Sequence, residues 1–228
     1  MMDIAQWLTA ISTPVLPSAA TMQWAMGLLW GVVLAWPTLA VALRVQPALA
    51  VRHRWTLVLV MVALAGWGGT ASLSYWLGLS FQLPSLVWVA LATYGMWLQL
   101  QPSPIQPGHQ LGQSRSLWAV RGPQVTLLCA AGVLLGWLLM LDTLAFWPRS
   151  LYAWGFSSAA VAVLGTVVIV AGLICRRQHK PLPWGVLAAL LLVFTITRLP
   201  SGNVWDVVSD PLLWAALHIK LIRDRFKK

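Results

Sequence analysis

The chain has 228 residues, 59% of them hydrophobic and 9% charged, and a net charge of +10. Soluble domains carry about 25% charged residues, so a chain this depleted cannot cover a water-facing surface and has to use lipid as its main solvent. The basic excess is no nucleic-acid footprint, because it falls in short clusters at the ends of apolar runs, as the positive-inside rule predicts.

The bilayer is therefore an expected partner and nucleic acid is not. Leu, Ala, Val and Trp are common, Lys is rare, and Glu is absent. That composition fits a GC-rich bacterial genome and places the expected protein in a bacterial inner membrane, as a multi-pass chain. The two cysteines, Cys129 and Cys175, lie in apolar runs without metal or disulfide spacing and read as small core hydrophobes.

Residues 1–18 carry no basic segment of the kind that opens a cleavable signal peptide. Ile4, Trp7, Leu8 and Ile11 repeat at helical spacing, which predicts a short interfacial helix on the outer surface, with a disordered tail as the alternative. A crossing of the hydrocarbon core takes about 20 residues. Six runs approach or exceed that length: Met22–Leu43, Trp55–Leu77, Pro84–Leu100, Val125–Phe146, Gly155–Cys175 and Leu182–Leu199. Residues 101–124 form the longest connection, with Pro102, Pro104 and Pro107 opposing a helix, and read as a cytoplasmic loop.

A seventh run, Pro211–Ile222, is short unless extended back to Val204, which takes in Asp206 and Asp210. Charge decides the matter. If this run spans, one side holds Arg44, Arg52, Arg54, Arg115, Arg121, Arg176, Arg177, Lys180, Lys220, Arg223, Arg225, Lys227 and Lys228, and the other holds only Arg149 and Arg198. If it does not span, the basic residues divide almost evenly. The expected fold is thus an all-α polytopic bundle of about seven spans, a single integral membrane domain over 1–228, with the N-terminus outside and the C-terminus cytoplasmic. Asp3, Asp142, Asp206 and Asp210 then face outward and Asp224 inward.

Small residues predict close helix contacts: Gly27 and Gly31 in the first span, Gly66 and Gly69 in the second, Gly132 and Gly136 in the fourth. Of the sixteen Trp, Trp24, Trp55, Trp76, Trp97, Trp147, Trp154, Trp184 and Trp205 fall where spans meet headgroups. Trp30, Trp36, Trp67, Trp137 and Trp214 lie deeper, filling gaps, facing lipid or lining a pocket.

No ionisable group sits at mid-span, where ion-coupled transporters and proton relays place them. The histidines, His53, His109, His179 and His218, fall in loops or near inner ends, without the paired mid-span placement of a membrane haem. No nucleophile triad, P-loop or HExxH is present. Neither cofactor nor metal nor catalytic residue is expected.

The candidate site is the outer polar group: Asp142, Arg149, Arg198, Asn203, Asp206 and Asp210. On one helix, Asp206 and Asp210 would share a face and could hold a cation or act as an acid–base pair. The structural alternative makes Pro200 to Asn203 a turn and lets Ser209 or Asp210 cap a helix beginning at Pro211. Arg198 could pair with Asp206 or Asp210, and Arg149 with Asp142.

The preferred function is a noncatalytic accessory or structural subunit of a larger membrane complex, with other membrane subunits as partners. Two alternatives stand beside it. One is a small permeation protein using Thr70, Ser72, Ser74, Tyr75, Thr93 and Tyr94. The other is an intramembrane enzyme acting at the outer interface through Asp142, Asp206 and Asp210.

Overall fold

The computed structural model describes residues 15–67, 69–101, 122–177 and 182–226. The expected N-terminal interfacial helix and most of the 101–124 loop, with Arg115, Arg121 and His109, lie outside the described residues, as do His179 and Lys180. Among the described residues the fold is all-helical, without strands. The helices are α1 (Ala19–Val45), α2 (Val51–Gly66), α3 (Leu73–Phe81), α4 (Leu86–Leu100), α5 (Pro123–Thr143), α6 (Leu151–Trp154), α7 (Ser158–Arg177), α8 (Leu182–Thr197), α9 (Trp205–Val208) and α10 (Pro211–Phe226).

Three helical stretches are long and apolar enough to cross a membrane: Ala19–Val45, Pro123–Thr143 and Ser158–Cys175. The chain packs as two compact units. Over their described residues, one comprises Gln23–Pro84 and Trp88–Gly122, and the other Met1–Met22, Ser85–Val87 and Pro123–Lys228.

In the first unit, α1 and α2 run antiparallel and nearly touch. A Cβ on Gly27 would lie 2.8 Å from Gly66 Cα, and one on Gly31 would lie 2.8 Å from Val62 Cα. Glycine at both points lets the backbones close and gain dispersion contacts that any larger residue would block. Further along, Ala35, Leu39, Val58, Met96 and Leu100 form the buried core of this unit. Arg54, only 9% exposed, closes its far end: Nε donates to Leu49 O at 2.8 Å, and Nη1 donates to Gln99 O at 2.8 Å in the last turn of α4. A cation there satisfies carbonyls that have no intrahelical donor and complements the negative helix end.

The run expected to span from Trp55 to Leu77 is not one helix. It stops at Gly66 and resumes at Leu73. Gly69 takes φ +82°, a conformation that suits glycine, and Ser72 caps α3 by accepting from Ser74 N. The hydroxyls of Ser72 and Ser74 both donate to Ala65 O, each at 2.6 Å, so the interrupted helix end is not left bare. A glycine–serine patch signals a break as readily as a contact face. Gly69 serves the turn, with open space where its Cβ would be.

A second interruption separates α3 from α4. Gln82 has φ 59°, and its carbonyl accepts from Trp30 Nε1 at 2.9 Å. Trp30 stands near the midpoint of the 27-residue α1. Gln82, at the start of this break, therefore lies beside the middle of α1. Pro84 cannot supply a backbone N–H, which favours the break.

In the second unit α5 packs on α10 and α7 on α8. Gly132 makes room for Leu217, and a Cβ on Gly136 would overlap the Trp214 ring. The Trp214 indole donates to Val133 O at 3.1 Å. Gly165, in α7, has nothing near its Cβ position.

Gly136→Ala should therefore destabilise the folded protein by about 1–3 kcal/mol through overpacking against Trp214. Gly165→Ala should be neutral or gain up to about 1 kcal/mol from helix propensity. Unfolding midpoints of the two variants in mild detergent check this difference.

Candidate functional site

The expected polar group is assembled from the end of α5, the short helices α6 and α9, and the turn after α8. Asp142 is buried in the last turn of α5. Its carboxylate accepts from Ser150 Oγ at 2.8 Å, Leu151 N at 2.9 Å and Tyr152 N at 2.8 Å. These are the free amides at the start of α6, where a negative charge is most stabilising. Ser150 adds a cap of its own by accepting from Ala153 N.

Asn203 is fully buried and bridges two segments. Its Nδ2 donates to Tyr152 O at 2.8 Å, and its Oδ1 accepts from Trp205 N at 3.0 Å. The Trp205 indole donates to Leu151 O at 2.9 Å, and Val204 N donates to Gly155 O at 3.0 Å. Gly155 is required at this approach, because a Cβ there would overlap Asn203 Oδ1 and the Trp205 ring. Tertiary packing thus ties the α8–α9 turn to α6 through donors from the turn and backbone carbonyls of residues 151–155.

Asp206 accepts from the Tyr152 hydroxyl at 2.8 Å and, at short range, from the Ser201 hydroxyl. Burial pushes its pKa above the ordinary carboxylate value. The hydrogen bonds from Ser201 and Tyr152 oppose that shift, and the nearby Asp210 charge adds to it. Tyr152 moves the same way, through burial first and then the Asp206 charge.

Asp206 and Asp210 do not share a helical face. Ser209 is extended, with φ −142°, and separates α9 from α10. Asp210 instead caps two helices. One oxygen accepts from Leu213 N at 2.8 Å in the first turn of α10. The other accepts from Ser85 N at 2.9 Å and Ser85 Oγ at 2.5 Å, directly before α4. Of the two expected capping candidates, Asp210 takes the role.

The arginines stand apart. Arg149 is exposed. Arg198, at φ 58°, lays its guanidinium 5.5 Å from the centroid of the Phe194 ring. The pairings Arg149–Asp142 and Arg198–Asp206 or Asp210 are absent. Amides and hydroxyls from adjacent turns hold the three carboxylates instead.

Tyr152, Ser201, Ser150, Trp205 and Gly155 complete the network and were not among the expected site residues. Ser150 alone had a legible signal, a capping residue directly before a short apolar stretch. Among the described residues, no group of three or more His, Cys, Asp or Glu side chains is placed to hold a metal ion. Comparison with protein-family models, curated proteins and solved structures gives no match to this chain.

Chemically, the cluster is a set of acceptors filled by structural donors. Because folding raises the Asp206 value, the fold binds that proton more tightly than the unfolded chain does. The resulting stability is full below the ordinary carboxylate value and is lost as pH rises through the raised one. Asp206→Asn should remove this pH dependence and stay within about 1 kcal/mol of the parent near neutral pH. Asp206→Ala should lose about 1–3 kcal/mol by leaving the Tyr152 and Ser201 hydroxyls without an acceptor. Unfolding curves of the detergent-solubilised variants across pH 4–7 read both outcomes.

Proposed function

We propose that this chain is a multi-pass protein of a bacterial inner membrane and acts as a noncatalytic subunit that packs within a larger membrane complex. The observation that carries this reading is the use made of its polar groups. Asp142 and Asp210 cap helices, Asp206 anchors a turn, Arg54 closes a helix end, and Lys220 pairs with Asp224. Meanwhile large apolar side chains stay exposed along the helices, Trp24, Trp67, Trp76 and Trp97 among them. Such a surface suits lipid and neighbouring helices.

Seven crossings accommodate the described helices: α1, α2, the compound α3–α4, α5, α7, α8 and α10. Several are short. At 1.5 Å per residue the 16-residue helices reach about 24 Å, less than the roughly 30 Å core, and would depend on local thinning or on flanking anchors. The segregation of basic residues orients the N-terminus outside and the C-terminus in the cytoplasm.

A second reading, a permeation protein, draws support from one feature. Helices interrupted at mid-traverse, such as α3–α4, recur where transporters build their binding sites. Of the polar residues expected to serve it, however, Ser72 and Ser74 are committed to Ala65 O, and Thr93 to Val89 O.

Two experiments test these proposals. A membrane-impermeant maleimide applied to intact spheroplasts should label Arg149→Cys above the level of the parent chain and leave Arg52→Cys and Arg223→Cys unlabelled. The reverse pattern would overturn the orientation. Purification in mild detergent with crosslinking should yield a stoichiometric membrane partner, whereas a clean monomer without crosslinks would reject the subunit role.

A further inference from the structure

At the middle of α10, and not near an inner end as the sequence led one to expect, a chain of hydrogen bonds joins this helix to α5, with His218 at its centre. The Nδ1 atom lies 2.8 Å from Trp214 O. A carbonyl only accepts, so Nδ1 carries a proton. The Trp137 indole N–H, which only donates, points at Nε2 from 3.2 Å, so Nε2 is bare. The Trp214 indole returns the connection to α5 by donating to Val133 O at 3.1 Å. The rings interlock edge to face, with centroids 5.2 Å apart for Trp137–Trp214 and 4.7 Å for Trp214–His218. Both nitrogens therefore have partners of fixed polarity, and those partners admit one neutral tautomer.

We propose that His218 is a proton-operated latch between α5 and α10, closed when the imidazole is neutral and opened when it is protonated. Protonation puts a hydrogen on Nε2, facing the Trp137 N–H. Two donors 3.2 Å apart cannot bond, so one ring has to turn away. Histidine is the side chain suited to such a change between about pH 5 and 8.

No carboxylate on either helix is held ready for the cation. On α10, Asp210 is committed to Leu213 and Ser85, and Lys220 pairs with Asp224, while Arg223 and Arg225 carry like charge. On α5, Asp142 is taken by the start of α6, and Cys129 is a free thiol. The Trp137–His218 link between the last helix and α5 thus becomes a function of pH. The clash of donors does not depend on the proposed orientation.

The test is nitrogen-15 NMR of the full-length protein in lipid nanodiscs, with histidine and tryptophan labelled. His218→Gln assigns the imidazole signals, and Trp137→Phe assigns one indole signal. At pH 8 the His218 nitrogens should read as one protonated Nδ1 and one bare Nε2. Between about pH 8 and 5 the Trp137 indole signal should move in one transition together with the imidazole, and in His218→Gln it should stay still. The latch is overturned if the imidazole titrates while the Trp137 signal remains fixed, or if that signal moves equally in His218→Gln. It is also overturned if His218 shows the other tautomer or stays neutral to pH 5. The tautomer reading uses the unmutated chain, so it stands even if Trp137→Phe fails to fold.

Discussion

A helix that stops inside hydrocarbon leaves backbone N–H and C=O groups with no water to receive them, and each such group left bare costs several kcal/mol. The same demand, that each helix end find partners for its free backbone groups, recurs through this structure, because its helices stop often. At the end of α2 two serine hydroxyls meet Ala65 O. At the end of α3 the Trp30 indole meets Gln82 O, and Asp210 receives Ser85 N directly before α4. Arg54 closes the end of α4, and Asp142 the start of α6. Each interruption is matched by a polar side chain from elsewhere in the same unit or turn.

The scarcity of ionisable residues takes on meaning from this. With five acidic and fifteen basic residues, the chain places several of them at helix ends rather than in an open cavity. Asp142 and Asp210 sit at positive helix termini, where a carboxylate is favoured, and Arg54 at a negative one. A side chain that holds a helix end in place cannot move freely without exposing that end. The same economy leaves the apolar residues to face outward, which is the ground for reading the protein as a packing partner of other membrane chains.

The sequence pattern revealed the class of fold through features that need no partner. Apolar length marked most of the helices, and Asp210 before Pro211 could be read as a cap because the capped amide is only three residues away. Gly27 with Gly31 and Gly132 with Gly136 fall at backbone approaches, since residues four apart share a helix face. The rest of the site was not legible. Arg149 was a candidate partner for Asp142, yet amides and a hydroxyl take that place. Asp206 finds Tyr152 at a separation of 54 residues, and Trp30 finds Gln82 at 52. No local spacing announces such pairs. The break after Gly66 was missed because glycine and serine read equally as a packing face.

Composition and charge by themselves determined that this chain is helical and suited to lipid. Those properties follow from the solvent, which acts on every residue alike. Only the tertiary structure decided where the helices break and which side chain closes each break. It also decided that Asp142, Asp206 and Asp210 cap helices and hold turns instead of pairing with arginines. The reason is geometric. A carboxylate is satisfied by whichever donors packing brings within about 3 Å, and in Asp142, Asp206 and Asp210 those donors are amides and hydroxyls delivered by other turns and helix starts.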